Sequence, residues 1–317
     1  MVFGPLPRSL ECFQINDQQI RFSDCVKYVG VTFQSTAKDY FASHYTEKLM
    51  AAHKNIGALF ALELFIGCNR IPPSVARMLY FALVDCHLIH AADIAPDVSP
   101  QLLAKFTDLQ KRCLRRILLI SKHSVIAPLY TETGVMPIAP RRVLLALRYL
   151  NYLVNLPDEN YSSIALQQSE VLRNRNLPSW LADLNVSLRN ASHGTLFLPP
   201  LRAINPVEIS RLSSALQKHV WSHLYNGIKS NRRLYLIHDR LEPLPDGSYK
   251  HIASKLCHYL VQVALPDHRR CLSNLLFGFS AFRSLSLHGV SENARSCRVC
   301  NDHRETPEHA LLQYPLS

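Results

Sequence analysis

Residues 11–33 alternate between apolar and polar positions. The runs are Cys12-Phe13-Gln14-Ile15, Ile20-Arg21-Phe22 and Val26-Lys27-Tyr28-Val29-Gly30-Val31-Thr32-Phe33, rich in β-branched and aromatic side chains. A period of two in such residues predicts three strands, with Asn16-Asp17 as the turn between the first two. The period then lengthens. Phe41, Tyr45, Leu49, Ala52, Ile56 and Leu59 step by four or three, which puts them on one side of a helix.

Further helices are predicted downstream. Pro72-Pro73-Ser74 opens one that runs to about Ala92, and Ser99-Pro100 opens another with the stripe Leu102, Phe106, Leu109, Cys113 and Ile117. A third starts at Pro140 and ends near Asn155. Residues 157–204 are polar, weakly periodic and broken by prolines, and read as a connector with room for one short helix. At Asn205-Pro206-Val207-Glu208 the asparagine caps a helix to about Tyr225, and the glutamate is placed to reach back to the cap N–H. Leu244-Pro245-Asp246-Gly247 is a turn, and helices near 250–264 and 267–277 precede a short tail.

Composition narrows the function classes. In 317 residues, 35 Lys+Arg against 24 Asp+Glu leave a formal charge of +11 and a pI near 9.3, which suits a polyanionic partner. Nine irregularly spaced cysteines argue against a disulfide framework and for a reducing, intracellular setting, nucleus or cytoplasm. The N-terminus lacks the charged and apolar regions of a signal peptide. The most apolar window, 56–68, contains Glu63 and is too short to cross a bilayer, so no membrane partner is expected. Only ten glycines are present, and neither a phosphate loop nor a nucleophile elbow nor a His-Glu-x-x-His pair occurs.

Two features carry candidate chemistry. In the tail, Cys297 and Cys300 stand in Cys-x-x-Cys spacing and His309 follows, three donors suited to zinc. The position one helical turn further on is Tyr314, and a neutral phenol is a poor fourth ligand. The second feature is basic clustering. Lys111, Arg112, Arg115 and Arg116 lie opposite the apolar stripe of their helix. Arg141, Arg148 and Tyr152 share a face of the next one, with Arg142 beside them. Lys229, Arg232 and Arg233, and then His268-Arg269-Arg270, form smaller groups. Guanidinium groups on a rigid helix suit phosphate and an interleaved tyrosine suits a sugar or base, although a basic helix face is more often simply solvated.

These pieces together resemble the C-terminal part of non-LTR retrotransposon reverse transcriptases. Met1-Val2-Phe3-Gly4, Phe13-Gln14-Ile15-Asn16 and Lys27-Tyr28-Val29-Gly30-Val31 are similar to the end of the palm. Glu132-Thr133-Gly134-Val135-Met136-Pro137 with Arg141-Arg142 is similar to the family's Gly-x-x-Pro segment, and 295–312 to its zinc knuckle, with Tyr314 in the last cysteine's place. The resemblance implies a mainly α fold with a small N-terminal antiparallel β element. Its expected parts are palm-end strands over 1–36, a thumb-like helical bundle over 37–156, the connector over 157–204, a second helical region over 205–290 and a degenerate knuckle over 291–317. The family's magnesium-binding carboxylates would lie upstream of Met1, so magnesium and polymerase chemistry are not expected of this chain. The expectation is a truncated, non-catalytic remnant of a transposable element that binds RNA or DNA nonspecifically. Its surface would be Lys111, Arg112, Arg115, Arg116, Arg141, Arg142 and Arg148, with zinc possible at Cys297, Cys300 and His309. The competing expectation is a decayed or domesticated helical protein-interaction module without a nucleic-acid role.

Overall fold

Two short hairpins precede the helices. β1 (Gln14–Ile15) pairs antiparallel with β2 (Gln18–Gln19) across Asn16 and Asp17, whose φ angles are +49° and +61°. β3 (Cys25–Tyr28) pairs with β4 (Val31–Gln34) across Val29 (φ +47°) and Gly30 (φ +78°). Two central residues with positive φ make the turn that matches right-handed strand twist. The second hairpin corrects the expectation of one continuous strand over 26–33. That run folds back where only Gly30 gave a turn signal, and Val29 is held in a region that β-branched residues avoid. The computed structural model describes residues 14–19, 22–35, 39–67, 71–243, 249–250, 255–277 and 300, so the palm-like segment before Gln14 lies outside the described residues.

The rest is mainly helical. α1 (Ala42–Ala61) buries Tyr45, Ala52 and Leu59 from its predicted stripe and leads into α2 (Glu63–Ile66). The stretch Ala42–Ile66 is long and apolar enough to cross a membrane, with a mean hydropathy of 1.4. Two of its polar groups are engaged within the protein: Asn55 donates to the Leu83 carbonyl at 2.7 Å, and Glu63 pairs with Arg116. α3 (Pro73–Leu79) continues into a π-helical segment, Tyr80–Asp85, and then α4 (Cys86–Leu88). α5 (Pro100–Leu118) buries Phe106, Leu109, Cys113 and Ile117 as its period predicts. α6 (Ala127–Thr133) ends at left-handed Gly134, whose φ is +60°. A Cβ on Gly134 would stand 2.5 Å from the Lys255 backbone, so only glycine fits. Arg77 secures this joint by donating to the Thr133 carbonyl at 2.7 Å and to that of Gly134 at 3.3 Å.

α7 (Ile138–Leu153) packs with α8 (Tyr161–Asn174) and α9 (Trp180–Ala191). The expected connector is therefore wrong in character, because 157–204 contains two full helices. Asn160 caps α8 by accepting from the Ser162 N–H at 2.9 Å, and Ser179 caps α9 by accepting from Ala182 at 3.3 Å. Such caps contribute about 1 kcal/mol each. The helices bury serines alongside leucines, Ser163, Ser169 and Ser187 with Leu166, Leu181, Leu184 and Leu188, which hides their apolar period. The Ser169 hydroxyl accepts from the Leu181 N–H at 3.0 Å.

α10 (Pro206–Lys229) is capped by Asn205, which accepts from the Glu208 N–H at 2.9 Å. Glu208 turns outward to Arg211 instead of back to the cap. A 3-10 segment over Arg232–Ile237 follows. The short pair β5 (Glu242–Pro243) and β6 (Tyr249–Lys250) comes next, then α11 (His258–Gln262) and α12 (Pro266–Leu276).

By packing, the chain forms two compact units, one of residues 1–58, 81–109 and 138–216, the other of 59–80, 110–137 and 217–317. This interleaved division differs from the serial one expected, in which 37–156 was a single bundle. The second unit draws its N-terminal part from segments 59–80 and 110–137, for example through Arg240, which binds both Glu132 carboxylate oxygens at 2.7 Å.

Candidate nucleic-acid interface

In the first unit, α7 carries three of the predicted arginines, and they meet different fates. Arg142 is 2% exposed. Its Nε donates to both Asp97 oxygens at 2.9 Å, Nη1 to the Leu88 carbonyl at 2.6 Å and Nη2 to the Tyr45 hydroxyl at 2.8 Å. Its guanidinium also lies 5.0 Å from the Tyr45 ring centre and 5.4 Å from that of Phe106, while the Tyr45 hydroxyl donates to Asp97. Burial alone would weaken the charge on Arg142, but Asp97 and Tyr45 hold its pKa above the ordinary guanidinium value. Burial in turn pushes the Tyr45 hydroxyl above the ordinary phenol range. A buried cation this fully bonded is a core element. Arg142 is thus removed from the predicted surface.

Arg141 is part-buried, bonds Asp85 at 2.7 Å and sits 5.0 Å over the Phe81 ring, so its charge is committed to a carboxylate. Arg148 is exposed and has no hydrogen-bond or ion-pair partner among the described residues.

The basic stretch of α5 belongs to the second unit. Arg116 pairs with the buried Glu63 and lies 5.3 Å over the Phe60 ring. Arg115 donates from Nε to the Ser124 hydroxyl at 3.2 Å. Lys111 is partly exposed, and Arg112 is exposed without a hydrogen-bond or ion-pair partner among the described residues. Of the smaller groups, Lys229 bonds Asp239 at 2.5 Å, and Arg269 is buried, donating to the Val263 carbonyl at 2.8 Å and to that of Ala264 at 2.7 Å. About half of the clustered charges are therefore engaged by acceptors within the chain, while Arg112, Arg148, Arg232 and Arg270 are exposed without a hydrogen-bond or ion-pair partner among the described residues.

Arg148 borders a cleft of about 530 Å³ in the first unit, lined also by Ile89, Ala91, Asp93, Leu145, Tyr149 and Tyr152. The Tyr149 and Tyr152 rings stack at 6.1 Å and 21°. Trp180 meets Tyr149 edge-on at 5.7 Å and 89°, and its indole Nε1 donates to the Asp93 carbonyl at 3.2 Å. Burial, with Asp93 and Tyr152 nearby, raises the Tyr149 hydroxyl above the ordinary phenol value. Tyr152 remains 58% exposed. The helical spacing of Arg148 and Tyr152 was visible in sequence. Tyr149 was a further residue of the same helix, whereas Asp93 and Trp180 arrive from segments with no local signal of a site.

Of the tail donors, only Cys300 falls among the described residues, where it is partly exposed. Cys297, His309 and Tyr314 lie outside them. Three N/S donors and a neutral phenol fall one ligand short of a closed structural zinc site. Comparison with models of known families, with curated proteins and with solved structures finds no match.

Proposed function

We propose that this chain is the thumb-side part of a non-LTR retrotransposon reverse transcriptase, without polymerase chemistry of its own, and that it binds RNA or DNA nonspecifically inside the cell. The observation that supports the reading most is Arg148, exposed and without an ionic partner, one helical turn from exposed Tyr152 on the rigid α7. A cation on a fixed scaffold beside an aromatic face is the combination that tracks a sugar–phosphate strand. Arg112 on α5, in the second unit, offers a phosphate contact of its own.

Fluorescence anisotropy with a labelled single-stranded oligonucleotide tests this. Affinity should fall with salt, at about 0.7 to 0.9 logarithmic units per decade for each phosphate neutralised. Replacing both Arg112 and Arg148 by glutamate should weaken binding and lower the salt slope. Salt-independent binding, or an unchanged double variant, would defeat the reading.

A second reading, a protein-interaction module, is favoured by Leu64 and Phe65 of α2, which are 85% and 86% exposed. Exposed apolar pairs of this size mark docking surfaces when they form part of a patch. A stoichiometric protein partner lost in a Leu64→Ser/Phe65→Ser variant, together with absent nucleic-acid binding, would select it.

A further inference from the structure

We propose that the cleft beside α7 is a site for one unstacked guanine base, with Tyr152 as the stacking platform, Asp93 as the reader of the base edge and Arg148 as the phosphate contact. The inference rests on the nucleic-acid reading above and gives it a base preference.

The argument starts with shape. The cleft is large enough for a purine, and its wall of Leu145, Ile89 and Ala91 is apolar. Tyr152 is already stacked on Tyr149, and Trp180 braces Tyr149 from its edge, so the platform is fixed before any ligand arrives. Because Tyr152 remains largely exposed, a further ring can be added to the stack.

The polar groups then choose the base. Asp93 sits in a turn begun by Ala91 at φ +57°, whose carbonyl accepts from the N–H of Ile94 at 3.2 Å and of Ala95 at 2.9 Å. The Trp180 indole holds the Asp93 carbonyl from the other side. The backbone of Asp93 is thus pinned, while its carboxylate has no hydrogen-bond partner among the described residues. Two carboxylate oxygens match two adjacent donors, and guanine alone among the common bases presents such a pair, N1–H and an N2–H, on its pairing edge. A peptide arginine also offers two parallel donors and a flat stacking face. Arg148 at the rim repels a second guanidinium and attracts a phosphate, which favours the nucleotide.

The test uses the full chain and 5′-GMP, 5′-AMP and 5′-CMP, followed by Trp fluorescence with Trp180→Phe as the assignment control. GMP is expected to bind at least tenfold more tightly than AMP or CMP. Asp93→Asn should abolish that preference while leaving AMP affinity unchanged. Tyr152→Ala should weaken GMP by roughly 5- to 100-fold, with Tyr152→Phe close to wild type. Equal affinities for the three nucleotides, an Asp93→Asn protein that still prefers GMP, or tighter binding of N-acetylarginine amide than of GMP would each overturn the proposal. The two readings fail separately. GMP binding without salt-dependent oligonucleotide binding keeps the cleft and removes the wider function, and the converse keeps the function and removes the cleft.

Discussion

Two helices display adjacent arginines that look alike on paper, Arg115-Arg116 in α5 and Arg141-Arg142 in α7. In α5 the pair stays near solvent, and Arg116 meets its carboxylate, Glu63, with about half its side chain still exposed. In α7 the second arginine has crossed into the core, where it donates to Asp97, Leu88, Tyr45 and Ala95 between aromatic rings. The difference teaches that basic density in a helix counts potential contacts, while the carboxylates brought up by distant segments decide which charges remain for a polyanion. Asp85 and Asp97 take two of the three arginines on α7 and leave Arg148.

The contrast predicts its largest effect in stability. Arg142→Met should cost about 3–5 kcal/mol, because Asp97 is stranded in the core. Arg116→Met should cost less, about 1–3 kcal/mol, because Glu63 is left buried without its cation while the arginine itself stands half exposed. Urea denaturation of the two variants measures both, and equal losses would erase the distinction. Adding Asp97→Leu to Arg142→Met should recover a large part of the loss.

Acid tests the same core from another side. His44, adjacent in α1 to the Tyr45 of the Arg142 network, is 2% exposed, and burial, followed by the neighbouring His90, lowers its pKa to about 4. Its Nδ1 accepts from the Thr32 N–H at 3.4 Å, so a proton there would face a donor. The unfolded chain takes up that proton near pH 6.5, whereas the folded chain resists it until about pH 4. Stability is therefore full above pH 6.5 and falls progressively down to about pH 4, by roughly 3 kcal/mol in all. A His44→Gln variant should flatten that slope when denaturation is followed across the range; an unaltered slope would assign it to other groups.

The smallest effect separates Arg112 from Arg116 in binding. Arg112→Gln should reduce the salt slope for an oligonucleotide by about one phosphate equivalent. Arg116→Gln should leave it nearly unchanged, since Glu63 already neutralises that charge. Titrations at several salt concentrations distinguish the two, and identical slopes would place both arginines in the same contact.

The mainly helical fold, the period change after the strands and the stripe of α5 were readable because apolar spacing directly encodes which side of a helix is buried. The hairpin at Val29-Gly30 was missed because valine contradicts the turn geometry it adopts. α8 and α9 were missed because Ser163, Ser169 and Ser187 occupy buried positions usually given to leucine. At the candidate site, Arg148 and Tyr152 could be paired from spacing within one helix. The loss of Arg142 to the core could not be seen, since Asp97 lies 45 residues away and Tyr45 lies 97. Long-range partners leave no periodic trace.

The joint at Gly134 has a practical consequence. The atoms that would collide with an added methyl belong to the main chain of Lys255, so no side chain can swing aside to admit it. Relief would require shifting the strand of polypeptide that ties the Cys257 N–H to the Glu132 carbonyl at 2.9 Å. A Gly134→Ala variant should consequently open this joint first and melt at a lower temperature than the wild type.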